Sequence, residues 1–293
     1  VLGGNNSSEV RVGLSGKIHQ LPYPALGDVV KEIGPIGHYD FKAADKNPDL
    51  PESKRVLAMD PVKRVHNAGP PSNYEDQKKL AVVKAEKNIG LFLNTHAFAV
   101  EMDGEKIKAV IGRNIRNGRE TRFSGKLFAD CTGDGNLGFL AGADYRMGRE
   151  SRQQTGESLA PENPDKLIMG TSVQWYSERE NSPSPFPECP WAMEFNEDNC
   201  QRAPRGDWDW ETGMNKNPIA EFESVRDHAF RVTYGNWSFL KNHCLDKDRY
   251  ANHRLKWVAY VGGKRESRRL LGDVILCQQD IQAPREFSDA SVT

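Results

Sequence analysis

The sequence predicts an α/β fold, and three stretches of the chain support this prediction. Residues 126–150 contain a short apolar run, a glycine-rich acidic turn and a short helix. Residues 73–123 predict a helix followed by a three-stranded β-meander. Residues 167–276 predict further strands around one long amphipathic helix at 218–243. Such mixed series of helices and strands favour sheets covered by helices.

The turn in residues 126–150 is the stretch around which the rest is arranged. Leu127–Ala129 predicts a strand, and Asp130-Cys131-Thr132-Gly133-Asp134-Gly135 follows it directly. In open α/β sheets, ligands bind at the carboxyl ends of the strands. The predicted helix Asn136–Ala141 would direct its positive N-terminal end at the same turn. We therefore expect a ligand with hydroxyl or phosphate groups here.

Four interpretations of this turn compete. Gly133–Gly138 matches the dinucleotide pattern G-x-G-x-x-G, but the helix is short and no second strand ending in an acid follows about 20 residues on. A calcium loop beginning at Asp130 would need glutamate where Ala141 stands. The turn could also be glycine-rich without any ligand. In the fourth interpretation, Asp134 accepts hydrogen bonds from ligand hydroxyls.

Composition limits the classes of function. A chain of 293 residues is long enough for one large or two ordinary domains. Its formal net charge of −1 argues against nucleic-acid binding, and no apolar run approaches the length of a membrane span. The five cysteines are widely spaced without a C-x-x-C pair, so the sequence predicts neither a zinc site nor a dithiol redox pair. The expected partner is a small-molecule substrate, and the oligomeric state and the compartment stay open.

Three other polar stretches each allow two interpretations. Gly3–Glu9 is rich in small hydrogen-bonding side chains and is either a surface loop or a helix cap with Ser7 or Ser8 as N-cap. Three tryptophans, Trp191, Trp208 and Trp210, occur near the acids of the stretch 194–211. This combination suits either ordinary packing or a sugar site. The arginine-rich turn 264–269 is either solvated surface or a site that stabilises negative charge on a ligand.

Four stretches together resemble the FAD-dependent oxidoreductases of the glutathione-reductase-like flavoprotein superfamily. They are GGNNSSEVRVG at 3–13, the DCTGDG turn at 130–135, GDWDWETG at 206–213 and VGGKRESRRLLGDVIL at 261–276. These stretches span the chain in the order that the family shows. The resemblance implies FAD as cofactor and hydride transfer to FAD from a small substrate, and the tryptophans and acids at Trp208–Glu211 favour a carbohydrate-like substrate. A non-catalytic carbohydrate-binding module and a glycoside hydrolase with a carboxylate pair in 194–211 remain alternatives.

The resemblance also implies the domain organisation. Residues 1–150 would form an incomplete FAD-binding Rossmann-type domain with a β-meander and an insertion at about 41–71. Residues 151–293 would form a mixed α+β substrate domain that returns toward the flavin. The family begins with a G-x-G-x-x-G unit and ends with a further flavin-domain segment. We therefore expect this chain to be an internal fragment that binds FAD weakly or not at all by itself.

The same resemblance assigns site residues. Those expected to hold the cofactor are Gly3, Gly4, Asn5, Ser7, Ser8, Phe98, Thr132, Gly133, Asp134 and Gly135. Those expected at the flavin–substrate interface as catalytic residues are Arg265, Glu266 and Arg268. Those expected to bind substrate are Trp208, Trp210 and Glu211. No metal ligand is expected.

Overall fold

A computed structural model describes residues 1–14, 19, 21, 23–33, 49, 54, 67–206, 211–283, 285 and 287. The predicted insertion at about 41–71 lies almost entirely outside the described residues, and so do Trp208 and Trp210. The mixture of helices and small sheets agrees with the predicted α/β class. Within the described part of the chain, every pair of strands is antiparallel.

Helices and strands are interspersed along the described part of the chain. The helices are α1 (Leu26–Ile33), α2 (Asp76–Ala85), α3 (Asn136–Leu140), α4 (Arg152–Thr155), α5 (Phe222–Asn242), α6 (Lys247–Tyr250) and α7 (Gln278–Gln282), with a 3-10 turn at Pro71–Tyr74. The strands are β1 (Thr95–Asp103), β2 (Lys106–Asn114), β3 (Glu120–Ser124), β4 (Tyr145–Arg146), β5 (Thr171–Ser172), β6 (Trp175–Arg179), β7 (Arg205–Gly206), β8 (His253–Val258), β9 (Gly263–Lys264) and β10 (Arg269–Leu270).

The predicted β-meander is confirmed. Strands β1, β2 and β3 pair in sequence order, and α3 packs against β1. The two connections turn at Gly104 and Gly118, whose φ angles are +59° and +74°. Glycine adopts this left-handed conformation without the steric cost that a side chain adds, so Asp-Gly and Asn-Gly are well suited to the two turns.

The predicted strand Leu127–Ala129 is wrong. These residues have no regular secondary structure, and the Leu127 side chain is 92% exposed. A strand forms only where a neighbour satisfies its N–H and C=O groups, and an apolar run does not supply that neighbour. The strand predicted at Leu270–Leu276 is likewise shorter, because only β10 finds a partner, in β4.

The second half of the chain is built around helix α5 and the sheet β7-β6-β8. The core between them contains Trp175 of β6, Trp237 and Leu240 of α5, and Tyr250 of α6. Trp175 and Trp237 are almost fully buried, and their ring centroids lie 5.5 Å apart. The long helix predicted at 218–243 is confirmed as α5, and it begins four residues later than predicted. Among the described residues, no helix is both long and apolar enough to cross a membrane.

His253 on β8 gives this sheet a pH-dependent stability. Its Nδ1 lies 3.2 Å from the Ser177 hydroxyl oxygen. Burial lowers the pKa of His253, and nearby cations, foremost Lys241, lower it further. The unfolded chain therefore binds a proton more readily than the folded one, so stability is lost as the pH falls through about 6.5.

We expect the free energy of unfolding to decline between about pH 7.5 and 5.5, by at most ~1.4 kcal/mol per pH unit for this one proton. The decline should be shallower in His253→Gln, and urea unfolding at several pH values measures it. His228→Gln, which changes an exposed histidine of α5, is the matched control. Identical pH profiles for the unchanged protein and His253→Gln would contradict the role of His253.

Candidate functional site

Asp134 lies at the centre of a cluster of polar contacts. One of its carboxylate oxygens forms an ion pair with Lys264, and the other accepts a hydrogen bond from the Ser267 hydroxyl at 2.8 Å. The Arg268 guanidinium donates to the Asp134 carbonyl oxygen at 3.2 Å. The side chains of Asp134 and Lys264 are only 15% and 25% exposed. We call Asp134, Lys264, Ser267 and Arg268 the Asp134 cluster.

Arg268 fixes the turn to α3 as well as to the cluster. Its guanidinium donates to the Asn136 side-chain oxygen at 2.9 Å and lies 3.9 Å from the centre of the Phe139 ring. A guanidinium over an aromatic face adds a cation–π attraction to these hydrogen bonds. Arg268 thus joins the two stretches 130–135 and 261–276.

Asp130, rather than a ligand, occupies the N-terminus of α3. Its carboxylate accepts hydrogen bonds from the backbone N–H groups of Leu137 and Gly138 at 2.8 and 3.0 Å and from the Thr132 hydroxyl at 2.7 Å. Partial burial alone would raise the pKa of Asp130, but these hydrogen bonds outweigh it and lower the pKa. The helix N-terminus expected to face a ligand is therefore capped by the chain itself.

The glycines of the turn serve two different purposes. Gly133 has φ +81°, and a Cβ atom placed there would meet nothing within 4 Å. A Cβ atom at Gly138 would lie 2.4 Å from a methyl carbon of Leu270, and one at Gly135 would lie 3.1 Å from the Leu270 Cγ atom. Gly135 and Gly138 therefore allow β10 to pack closely, whereas Gly133 leaves open space beside the main chain.

The N-terminal loop 3–13 meets the same cluster from the other side. The Asn5 amide donates to the Lys264 carbonyl oxygen at 2.8 Å. The Tyr260 hydroxyl donates to the Glu9 carboxylate at 2.7 Å. A Cβ atom at Gly263 would lie 3.0 Å from the Val10 side chain, so the loop packs directly on β9.

Helix α2 holds this loop in its conformation. The Asp76 carboxylate accepts from the Ser8 backbone N–H at 3.2 Å, and the Lys79 ammonium donates to the Asn6 side-chain oxygen at 2.7 Å. The Ser7 hydroxyl is fully buried and donates to the Gly4 carbonyl oxygen at 2.7 Å. Burial lowers the pKa of Lys79. Gly4, with φ +55°, has open space where a Cβ atom would stand.

The stretch 206–213 reaches the site through Glu211. Its carboxylate forms an ion pair with Arg265, and the Glu211 side chain is only 13% exposed. The neighbouring Thr212 exchanges backbone hydrogen bonds with Thr171 at 2.9 and 3.0 Å. Of the three predicted substrate-binding residues, Glu211 therefore contacts a predicted catalytic residue. The other two, Trp208 and Trp210, lie outside the described residues.

Glu266 connects the arginine-rich turn to a cavity of about 520 Å³. One carboxylate oxygen of Glu266 pairs with Arg269, and the other accepts from the Met169 backbone N–H at 2.9 Å. Glu150 and Arg269 also line the cavity, whose apolar wall includes Leu159 and Leu276. Polar groups that converge in a cleft of this size are typical of small-molecule sites.

Phe98 lies outside these contacts, in the meander. It occupies the position where the register of β1 shifts against β2, and the Arg113 guanidinium lies 4.3 Å from its ring centre. Because β1 packs against α3, Phe98 and the central turn lie on neighbouring elements.

Several contacts of the site were not singled out from the sequence. The residues that hold the loops but were not among the predicted site residues are Asp76, Lys79, Asp130, Lys264 and Ser267. Lys264 and Ser267 stand in the stretch 261–276, so complementarity with the acidic turn was a signal for them. Lys79 had no such signal, because a lysine on an amphipathic helix is ordinarily solvated.

The contacts bring all four singled-out stretches into one connected region, and this agrees with the comparison with known families. The family described as FAD dependent oxidoreductase matches residues 1–292. The chain belongs to this family. Membership implies FAD as the cofactor and a flavoprotein oxidoreductase. No curated protein and no solved structure matches the chain.

Proposed function

We propose that this FAD dependent oxidoreductase transfers a hydride from a small, carbohydrate-like substrate to FAD. The single observation that supports it is the convergence of the four stretches on the Asp134 cluster, Glu211 and Glu266. Neither a carbohydrate-binding module nor a glycoside hydrolase accounts for a family match over residues 1–292.

The cofactor would lie along the N-terminal loop and the central turn. Open space beside Gly4 and Gly133 lets a phosphate or ribityl group come close to the main chain. A carboxylate offers about four lone-pair sites, and Lys264 and Ser267 use two of those on Asp134. We propose that the remaining two accept cofactor hydroxyls, while Asn5 and Ser8 belong to the supporting loop.

The other residues that are predicted to hold the cofactor would act mainly by fixing the conformation of the loop and the turn. Gly3 and Gly135 permit the loop and the turn to adopt left-handed backbone, with φ +112° and +60°. Thr132 holds the turn by accepting the Asn136 backbone N–H at 2.9 Å. Ser7 closes the loop by its bond to Gly4. Phe98 would place the meander against the adenine.

The substrate would bind in the cleft that begins at Glu266. FAD, when bound, accepts a hydride, which carries the two electrons of one substrate C–H bond. Glu266 lines the cleft and would take the proton of the oxidised hydroxyl group, leaving a carbonyl product. Arg265, next to it in sequence, would hold the developing oxyanion, and Glu211 orients Arg265. Arg268 would hold the central turn in place.

Replacing Arg265 by methionine tests this assignment. With FAD supplied in excess, we expect Arg265→Met to bind it as the unchanged protein does, while flavin reduction slows by about 100-fold because one donor to the oxyanion is lost. Anaerobic bleaching of the flavin by a panel of monosaccharides and polyols measures the rate. Arg265→Lys should restore part of it, since the positive charge returns without the bidentate geometry.

Arg122→Met is the matched control, because Arg122 forms an exposed ion pair with Glu101 in the meander. The flavin of this variant should be reduced by the substrate at the same rate as in the unchanged protein. A protein that binds FAD but is bleached by no hydroxylated molecule would overturn the carbohydrate-like substrate. Bleaching that is equally fast in Arg265→Met would overturn the role of Arg265.

A further inference from the structure

Two cysteines and one glutamate meet at the end of helix α5. The ligand atoms of Glu197, Cys200 and Cys244 all lie within 4.8 Å of one another. We propose that these three residues bind a single zinc-type divalent ion, and we call them the Glu197–Cys244 cluster. Thiolate sulfur and carboxylate oxygen are donors that Zn²⁺ accepts, and three protein ligands leave one tetrahedral position for solvent.

The separation of the three atoms suits one small ion. A tetrahedral zinc ion with bonds of about 2.3 Å holds its sulfur ligands ~3.8 Å apart. The side chains therefore need to move inward by only a fraction of an ångström to reach a common centre. Glu197 and Cys200 share one turn, in which the Cys200 N–H donates to the Asn196 carbonyl oxygen at 3.0 Å. Cys244 follows directly on α5.

Neighbouring groups already orient two of the three ligands. The Leu245 backbone N–H donates to the Glu197 carboxylate at 2.6 Å. The Asp246 backbone N–H donates to the Cys244 sulfur at 3.4 Å. Hydrogen bonds that hold ligand side chains from outside are a regular feature of metal sites.

The charge of a dication suits this ligand set. Two thiolates and one carboxylate would carry three negative charges, so a complex with Zn²⁺ keeps one. The Arg202 guanidinium forms ion pairs with both Glu197 and Asp246 and therefore offsets that charge in part.

Tyr250 is a second observation that points to this cluster. It is 1% exposed, and its hydroxyl has no hydrogen-bond partner among the described residues. Tyr250 packs in the same buried group as Cys244, and Cys200 packs against that group. A buried hydroxyl without a partner is costly. A metal-bound thiolate or the solvent ligand would accept a hydrogen bond from this hydroxyl.

The ion would tie the turn 196–202 to the end of α5, away from the contacts of the Asp134 cluster. No local sequence pattern indicates this site, because the third ligand follows the first two only after α5. The proposal does not depend on flavin chemistry, so its test needs no activity measurement.

The test is metal binding by the reduced, chelator-treated protein. Titration with Cd²⁺ should give one equivalent of the ultraviolet band that marks sulfur bound to cadmium, and Zn²⁺ should abolish it by competition. Cys200→Ser and Cys244→Ser should each weaken binding by more than about 100-fold. Cys189→Ser, which changes another partly buried cysteine of the same region, should bind as the unchanged protein does.

Circular dichroism shows whether each variant is folded, and Glu197→Gln tests the third ligand without removing a sulfur. The proposal is overturned if one equivalent of Cd²⁺ binds equally well to Cys200→Ser, or if no sulfur–cadmium band appears at all. It is also overturned if mass spectrometry of protein purified without reductant or chelator finds a Cys200–Cys244 disulfide in place of metal.

Discussion

Replacing Asp134 by alanine is expected to abolish flavin retention and to lower the free energy of unfolding by about 2–4 kcal/mol. The change leaves the largely buried Lys264 ammonium without its ion-pair partner and the Ser267 hydroxyl without its acceptor. Both partners belong to the stretch that also contacts the N-terminal loop, so the loop loses its support as well. Titration with excess FAD, compared with the unchanged protein, and urea unfolding measure the two effects.

A further variant separates the effect of the Asp134 charge from that of its shape, and another serves as the control. Asp134→Asn keeps an oxygen for Ser267 but loses the ion pair, so we expect an intermediate loss of stability. Asp144→Ala removes an exposed acid ten residues away and should retain flavin. Stoichiometric flavin in a folded Asp134→Ala protein would show that the Asp134 cluster does not hold the cofactor.

Local patterns predicted those elements whose partners are close in sequence. The β-meander and α5 were predicted correctly, because alternation, Asp-Gly and Asn-Gly turns and helical periodicity are all local signals. Leu127–Ala129 failed for the opposite reason, since a strand depends on a neighbour that its own residues do not reveal. The family resemblance selected the four stretches, but not the contacts between them.

The structure assigns several residues of the site other roles than the sequence predicted. The pattern drew attention to Asp134 and to the N-terminus of α3, but Asp130 caps that helix. Gly135 and Gly138 match the dinucleotide pattern in the sequence, but in the structure the Leu270 side chain packs against both. Such assignments depend on which side chain arrives from a distant part of the chain. Lys79 illustrates the same limit, because a lysine in a surface pattern gives no sign of a buried partner such as Asn6.

Replacing Gly235 by alanine is expected to destabilise the protein by about 3 kcal/mol, against the direction that helix propensity predicts. In an exposed helix interior this change would stabilise by ~1 kcal/mol. In α5, however, the added Cβ atom would lie 2.0 Å from the Met193 carbonyl oxygen and about 3 Å from two more main-chain atoms of Met193. Main-chain atoms cannot rotate out of the way as a side chain does, so the segment before Glu197 must move off the helix.

Thermal and urea unfolding of Gly235→Ala measure this cost, with His228→Ala as the control on an exposed position of the same helix. The control should change stability by less than about 0.5 kcal/mol. The Met193 N–H also donates to the Arg231 carbonyl oxygen at 3.1 Å, and the Arg231 guanidinium donates to the Trp191 carbonyl oxygen at 3.3 Å. One main-chain hydrogen bond and one from the Arg231 side chain thus hold the segment where the glycine allows it to lie. A Gly235→Ala protein as stable as the unchanged one would mean that the segment can leave α5 at little cost. The close approach of Met193 would then not determine the position of the turn 196–202.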